Sequence, residues 1–448
     1  MNLEEVFAEP GRLGALAEAA MEAVKVDQCE AVVLVTRTDL TRFAESVIHQ
    51  SISKVEPLMN VRVVSGKRIG CASGNLLRAE GAQEVATRAA AIAAVEAENP
   101  DFVSLPGPEP LAEVQGWAED TMECTAEARA RAAKVMAEIA GGAGLKAAGA
   151  IATETTCVLV ANSLGVRCED RLTSAKAHVV VSGASSSGYA EGAAVSFGAL
   201  DFREMGGRAT EKAVLAANPR QVEPGEYRVI LEAPAVADMV VFLSYFGFGA
   251  LAYQEGRSFL CENEGKRVAA EAVTLWDDGT DPRGLPRRFD LEGVPKRKTV
   301  LIERGIAQGP VYDSFTAHRV GRKSTGHGSL APNPSGPYVE NVYLAPGAES
   351  LERMVAGTEG GVLITRFHYT NIVHPKRLTL TGMTRDGTFL IEEGRLVSGL
   401  RNLRFDQGIL EALAQVSAVS AETWLCESGA LVPAVRTESF RFASGTEF

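Results

Sequence analysis

Histidine and cysteine side chains are the first candidates for chemistry in this chain, because both bind zinc and related metals. Of six histidines, His368 and His374 stand six positions apart. On one continuous strand they would lie about 20 Å apart at about 3.3 Å per residue, too far for a shared ion, so a turn between them would be needed. His318, His327 or Cys426 could then complete a site. We keep His368, His374 and Cys426 as metal candidates, against the alternative that the histidines are surface or hydrogen-bonded residues.

A long irregular stretch rich in glycine and proline, STGHGSLAPNPSGP, occupies residues 324–337. Long irregular segments in compact domains are often functional. We therefore predict that it lines a substrate cleft, with a plain surface loop as the alternative. The side chains predicted to contact substrate are those of Ser324, Thr325, Gly326 and His327.

Other catalytic motifs are not supported. The GFGALA segment at 247–252 has the form of a dinucleotide fingerprint, which needs a strand before it, a helix after it and an acidic residue about 20 positions on. Only a short stretch separates it from the GRS at 256–258, which favours a close-packed helix or helix-to-loop segment. The stretch 321–328 has P-loop spacing, but His327 and Gly328 replace the required Lys and Ser/Thr. The pair Asp277 and Asp278 before Gly279 is explained either by a cation site or by an ordinary Asp-Asp-Gly turn.

The elements that must position these residues alternate between helix-like and strand-like patterns. Alanine-rich helical periodicity follows a run of short β segments in the first half, and the second half is rich in short β runs. Its predicted helices include residues 235–253 and 405–416. Proline and glycine between 218 and 226 predict a linker. The predicted fold is α+β: an N-terminal α/β domain with helices on a sheet (1–220) and a C-terminal β-rich mixed domain (221–448).

Composition limits the classes of partner. The formal net charge of −12 disfavours nucleic-acid binding, which depends on clustered Lys and Arg. Seven scattered cysteines predict reduced thiols. The first residues do not resemble a secretory signal, and the longest apolar run, 239–253, is shorter than the roughly 18–20 residues that span a bilayer. A cytoplasmic protein without membrane association is expected.

Ten short segments, in order through both halves, resemble those of the TldD/PmbA family, whose older label is modulator of DNA gyrase. They are NVRVVSGKRIG (60–70), NSLG (162–165), PGEYRVIL (224–231), GRSFL (256–260), DDG (277–279), FDLEGVP (289–295), LIERG (301–305), STG (324–326), TRDGTFLIEEG (384–394) and VP (432–433). The resemblance implies an N-terminal α/β domain, a C-terminal β-rich domain, and a dimer with a cleft or tunnel for unfolded peptide.

The resemblance also implies where zinc would be bound. In the catalytic branch of the family, a helix like 235–253 carries His-Glu-x-x-x-His, and a downstream cysteine is the third ligand. Counting back from the GRS at 256–258 places Val241, Phe242 and Phe246 at the motif positions. A shift of two residues places Leu243, Ser244 and Phe248 there instead. Neither register supplies a ligand, although Cys426 stands roughly where the family's cysteine would be.

This departure places the chain with the PmbA (TldE) branch, so no zinc is expected in this chain and zinc is expected in a TldD-type partner. The first hypothesis is therefore a non-catalytic subunit of a cytosolic peptidase for unfolded or flexible peptides. The second is an autonomous metallopeptidase with a relocated site. The third is a homodimeric peptide-binding or adaptor protein without catalysis. Whether this chain is itself a hydrolase stays open among them.

Overall fold

Two sheets and the helices packed on them make up the fold. The structure, a computed structural model, describes residues 3–8 and 11–445. Each half of the chain contributes one sheet, which confirms the predicted α+β class. Within the described residues, no helix combines the length and the apolar character needed to cross a bilayer.

The first half forms one antiparallel sheet of six strands in the order β3-β2-β1-β4-β5-β6. The strands are β1 (Gln28–Ala44), β2 (Val47–Ser65), β3 (Arg68–Gly74), β4 (Lys146–Asn162), β5 (Arg167–Ser182) and β6 (Ser187–Ala194). The helices are α1 (Leu3–Ala8), α2 (Gly14–Glu22), α3 (Ala79–Val95), α4 (Glu119–Met122), α5 (Ala126–Gly142) and α6 (Phe202–Leu215), with a 3-10 turn at Phe197–Ala199.

Alternation along the strands gives this sheet two apolar faces. Val33 packs with α2 and α3, whereas its neighbour Val32 packs with Phe289 from the second half. Helix α3 lies close to the sheet because Gly70 on β3 has no side chain at the contact. A Cβ added at Gly70 would lie 2.0 Å from the Ala89 carbonyl oxygen of α3. The sheet is therefore covered by helices on one face and partly by the second half on the other.

The second half contains eleven strands and six α-helices among the described residues. The strands are β7 (Gly225–Leu231), β8 (Leu275–Asp277), β9 (Thr299–Glu303), β10 (Ile306–Ala307), β11 (Val342–Leu344), β12 (Gly360–His374), β13 (Thr379–Glu392), β14 (Arg395–Gly399), β15 (Leu403–Gly408), β16 (Val416–Leu425) and β17 (Leu431–Gly445). The helices are α7 (Ala233–Gly247), α8 (Ala250–Gln254), α9 (Leu260–Asn263), α10 (Ser314–His318), α11 (Leu351–Ala356) and α12 (Ile409–Ala414), with a 3-10 turn at Pro375–Arg377.

Five of these strands close into a ring in which β7, β12, β13, β15 and β17 each pair with two neighbours. The β7–β12 pair is parallel and the other four pairs are antiparallel. Phe405 contacts Phe367 and Phe440, with ring centroids 4.5 and 5.4 Å away, and all three are buried. Aromatic packing therefore forms part of the core of this domain.

Two predicted helices are corrected by the structure. The helix predicted over 235–253 is interrupted at Phe248 and Gly249, because Gly249 forms a backbone bridge with Val311. In this bridge, Val311 N–H donates to the Phe248 carbonyl and Ala250 N–H donates to the Val311 carbonyl. The predicted helix over 405–416 is instead β15 followed by α12. Its first residue, Phe405, pairs with Phe442 on β17, so sheet and aromatic contacts outweigh local helix propensity.

Candidate functional site

Helix α7 occupies the place where the family resemblance puts zinc ligands. It begins directly after β7 and packs its apolar side, including Val240 and Leu243, into the core of the second domain. Its sequence, APAVADMVVFLSYFG, contains neither His nor Glu. At two of the three motif positions, Phe242 (the base) and Phe246 (a ligand) stack with ring centroids 6.2 Å apart and pack against the same core. Apolar packing therefore occupies these positions.

Cys426 is buried just beyond the end of β16, in the core that α7 helps to form. Burial, together with a hydrogen bond to the Glu191 carboxylate, raises the pKa of Cys426 well above its ordinary value. Its Sγ also lies 3.8 Å from the Trp424 carbonyl oxygen. Burial and the neighbouring carboxylate therefore favour the protonated thiol in the metal-free protein, where its hydrogen-bonding partners come from the chain itself.

Two carboxyl groups approach Cys426 from different elements. Glu191 comes from β6 in the first domain, and Asp238 is the single carboxylate of α7. Burial raises the pKa of both carboxyl groups, that of Asp238 to about 6. Tyr189 donates its hydroxyl proton to Glu191, and Thr370 Oγ1 donates to Asp238 over 3.1 Å. We call Glu191, Asp238 and Cys426 the acid–thiol cluster.

The acid–thiol cluster does not fit a catalytic zinc ion. It supplies no imidazole, and its two carboxylates already accept hydrogen bonds from the protein, Glu191 from Tyr189 and Asp238 from Thr370. Throughout residues 3–8 and 11–445, no three or more His, Cys, Asp or Glu side chains are placed to hold a metal ion together. Within the cluster, the hydrogen bond between Cys426 and Glu191 instead links the two domains.

The predicted metal candidates His368 and His374 lie on the same strand, β12, whose last residue is His374. The pairing of β12 with β13 is irregular after His368 and resumes at Asn371, without a reversal of the chain. His374 lines a separate surface cavity of about 1260 Å³, whereas Cys426 lies in the acid–thiol cluster. Among the described residues, these three side chains are therefore not brought together.

The predicted cleft residues 324–327 have their partners inside the protein. His327 is buried, with Nδ1 2.9 Å from Thr325 Oγ1 and Nε2 3.2 Å from Asp277 Oδ2. Ser324 Oγ donates to the Tyr312 carbonyl over 3.1 Å. Although burial acts to raise it, Lys296 and His327 bring the pKa of Asp277 down to about 2. Thr325 and His327 thus join a buried polar network, and their contact with substrate stays a prediction.

At Gly326, the chain has a φ of +78°, and an added Cβ would lie 2.5 Å from the Pro295 carbonyl oxygen. Only glycine fits such a close approach of two backbone segments. The same turn places Thr325 and His327 on either side of it, within reach of each other.

Glu191 and Asp238 were not among the site residues predicted from the sequence. Asp238 carried a usable signal, because one carboxylate on an otherwise apolar helix must be buried or paired at a cost. Glu191 offered no comparable signal. Its role depends on β6 meeting the end of β16, where Trp424 Nε1 donates to the Glu191 backbone carbonyl.

Two family models match the chain. Residues 110–217 match the PmbA/TldA metallopeptidase central domain, and residues 224–444 match the PmbA/TldA metallopeptidase C-terminal domain. The chain belongs to the PmbA/TldD family. The family resemblance seen in the ordered motifs is thereby confirmed, and the chain is related to metallopeptidases.

Curated relatives of the family are similar over part of their length. The Metalloprotease TldD homolog of Buchnera aphidicola subsp. Acyrthosiphon pisum is 30% identical over 175 residues, 37% of this chain and 35% of that protein. A metalloprotease of Methanothermobacter thermautotrophicus is 25% identical over 226 residues, 50% of this chain and 49% of that protein. The chain thus spans between 35% and 49% of the length of these two relatives.

Solved structures of the family share the whole fold. TldE from Thermococcus kodakarensis superimposes with a TM-score of 0.87 at 23% identity, over 96% of this chain and 99% of that one. A putative modulator of a DNA gyrase from Thermotoga maritima gives a TM-score of 0.83 at 21% identity, over 98% and 100% of the two chains. At this identity, the likeness establishes the fold alone.

The acid–thiol cluster predicts how stability depends on pH. Because the pKa of Asp238 is raised to about 6 in the folded state, the unfolded state loses this proton first as pH rises from about 4. Asp238 therefore lowers stability progressively between about pH 4 and 6. Asp238→Asn is expected to raise the free energy of unfolding at pH 7 by about 3 kcal/mol, with little effect at pH 4. Denaturant unfolding at both pH values measures the difference; an equal effect at pH 4 and pH 7 would contradict this origin.

Proposed function

We propose that this chain is the PmbA/TldE-type, non-catalytic subunit of a cytoplasmic TldD/PmbA-type metallopeptidase that acts on unfolded or flexible peptides. The zinc and the hydrolytic chemistry belong to a TldD-type partner in this proposal. The observation that carries it is helix α7, which has apolar side chains where the zinc ligands and the catalytic base would stand.

The physical reason is the requirement of zinc hydrolysis for several converging groups. A catalytic zinc needs three protein ligands, a bound water and a carboxylate that accepts the proton of that water. Here Val241, Phe242 and Phe246 stand at the positions implied for ligands and base. Neither aliphatic nor aromatic side chains can perform these roles. Cleavage therefore has to come from another subunit.

The comparisons support this proposal in two ways. Several relatives carry the name metalloprotease, among them a Metalloprotease PmbA homolog of Haemophilus influenzae that is 27% identical over 166 residues. The fold extends over nearly all of the chain named TldE from Thermococcus kodakarensis. A chain with this fold and an apolar α7 suits a supporting role beside a zinc-bearing subunit.

The test combines metal content with reconstitution. The purified chain, dialysed against metal-free buffer, is expected to hold far less than one zinc per chain by elemental mass spectrometry. Mixed with a TldD-type subunit from the same source, it is expected to co-elute in size exclusion and to raise cleavage of an unfolded peptide above that of the partner alone. Stoichiometric zinc and steady cleavage by the isolated chain would overturn the proposal.

A variant of Cys426 makes the test sharper. Cys426→Ala in this chain is expected to leave partner-dependent cleavage within about twofold, because the thiol is no metal ligand here. Loss of a small buried side chain is expected to lower stability by about 1 kcal/mol, so both chains are compared below their unfolding temperatures. A loss of cleavage of more than tenfold in a folded variant would assign Cys426 to the catalytic site.

A further inference from the structure

A cleft of about 900 Å³ lies between the two domains, apart from the buried network around His327. Its walls come from the end of β5 and the start of β6, from the connection after α6, and from β13 with the segment before β15. Its volume falls within the range of about 300–1,000 Å³ that is typical of small-ligand sites. We call it the interdomain cleft.

The interdomain cleft is cationic within an acidic chain. Arg385, Asp386 and Arg401 are its charged lining residues. The Asp386 carboxylate accepts two hydrogen bonds from Arg366, which neutralises it, and Arg385 lies 3.9 Å from its other oxygen. Two exposed guanidinium groups, those of Arg385 and Arg401, therefore remain to attract an anion.

Hydroxyl groups accompany the two arginines. Ser186 and Ser187 line the cleft on the side of the first domain, and Thr388 lines it on the side of the second. Thr388 is 2% exposed, and its hydroxyl has no hydrogen-bond partner among the residues that the structure describes. A buried polar atom left in this state is unusual in folded proteins and suits a site where a ligand supplies the partner.

The backbone of the cleft is held in uncommon conformations. Asn218, Tyr369 and Asp386 line it with φ between +50° and +55°, three of the eight non-glycine residues with positive φ in the described chain. For a bulky residue such as Tyr369 this conformation costs about 1–3 kcal/mol, and strain of this kind concentrates at functional sites. Tyr369 is 80% exposed and, with the half-buried Met383, gives the cleft apolar surface.

We propose that the interdomain cleft binds the carboxylate of a ligand with an apolar body. The guanidinium groups of Arg385 and Arg401 receive the carboxylate, the hydroxyl of Thr388 adds a hydrogen bond, and Tyr369 and Met383 contact the apolar part. Such a carboxylate belongs either to a small organic acid or to the C-terminus of a peptide. The site does not depend on the proposed subunit role.

The test uses the full chain and three probes in calorimetric titrations: N-acetyl-leucine, an acetylated hexapeptide ending in leucine, and the same hexapeptide as its C-terminal amide. We expect the free acids to bind and the amide to bind at least tenfold more weakly. Arg401→Gln is expected to weaken binding of the acids roughly tenfold to hundredfold. Arg401→Lys is expected to retain part of the affinity.

Arg395→Gln is the matched control, because Arg395 is an exposed arginine on β14 that does not line the cleft. The Arg395→Gln variant is expected to bind the free acids with the affinity of the unchanged chain. All variants are expected to keep the same unfolding temperature. Tighter binding of the hexapeptide acid identifies a peptide terminus as the ligand, and equal affinities identify a small acid. Both results support the site.

Equal binding of the acid and the amide would overturn the proposal, as would an Arg395→Gln effect as large as that of Arg401→Gln. Absence of binding at millimolar concentration would overturn it as well. None of these results affects co-elution with a TldD-type subunit, so failure of the cleft proposal is distinguishable from failure of the proposed function.

Discussion

Replacing Arg62 with methionine is expected to lower the free energy of unfolding by about 3–5 kcal/mol. The Arg62 side chain is 11% exposed and joins two buried carboxylates, Glu30 at 2.8 Å and Glu292 at 3.2 Å. Glu30 lies in the first sheet, whereas Glu292 belongs to the second half of the chain. The variant leaves both buried carboxylates without their cation. The loss of stability therefore includes the loss of an ion pair that links the two domains. Chemical denaturation followed by circular dichroism measures the difference.

Arg68→Met is the control, because Arg68 is 46% exposed and lies 3.9 Å from an exposed Glu98 carboxylate. Exposed pairs of this kind contribute about 0–1 kcal/mol. If the two variants lose similar stability, the buried pairing of Arg62 with Glu30 and Glu292 is not what stabilises the interface. Splitting of the unfolding transition in the Arg62 variant alone would show that the domains have become independent.

Truncating Phe405 to alanine is expected to cost about 3–5 kcal/mol, the usual range for a large aromatic residue in a core. Phe405 is 1% exposed and contacts two other aromatic rings in the core of the ring of strands. Its ring also lies over Gly382 on the adjacent strand, where an added Cβ would come within 2.8 Å of Phe405 Cζ. Neighbouring side chains can fill the space only in part, so a cavity remains.

Phe405→Leu is the graded comparison and is expected to cost clearly less than Phe405→Ala, because it keeps much of the apolar volume. Tyr245→Ala, at a side chain that is 48% exposed, is expected to cost well under half the Phe405→Ala value. Thermal unfolding of the three variants measures the order. Equal losses for alanine and leucine at position 405 would show that the aromatic contacts, rather than the filled volume, are decisive.

The sequence was sufficient for the class of fold and for the family. Continuous apolar runs on β1 and β4 reflect strands that are buried on both faces, and alanine-rich helical periodicity on α3 reflects a helix that is buried on one face. The ordered motifs added the family, which the family models confirm. These inferences depend on local patterns, and local patterns are visible in one sequence.

Only the part of the candidate site that lies within one helix or strand could be predicted from the sequence. That α7 lacks histidine is visible in its residues, but the convergence of Glu191, Asp238 and Cys426 depends on contacts between three distant segments. The interruption of α7 at Gly249 likewise depends on Val311, and the strand at Phe405 depends on β17. Tertiary contacts of this kind have no signature in residue spacing.

The ring of strands has a consequence for biosynthesis. It opens with β7 and can close only when β17 pairs with it, as in the pair Tyr227 and Phe440. About 200 residues separate the two strands, and translation at about 5–20 residues per second needs roughly 10–40 s to cover them. During that time the first sheet can fold, whereas Val229 and Leu231 can pair with β12 but not yet with β17. Until β17 is made, one edge of β7 lacks its partner and is open to association with other chains.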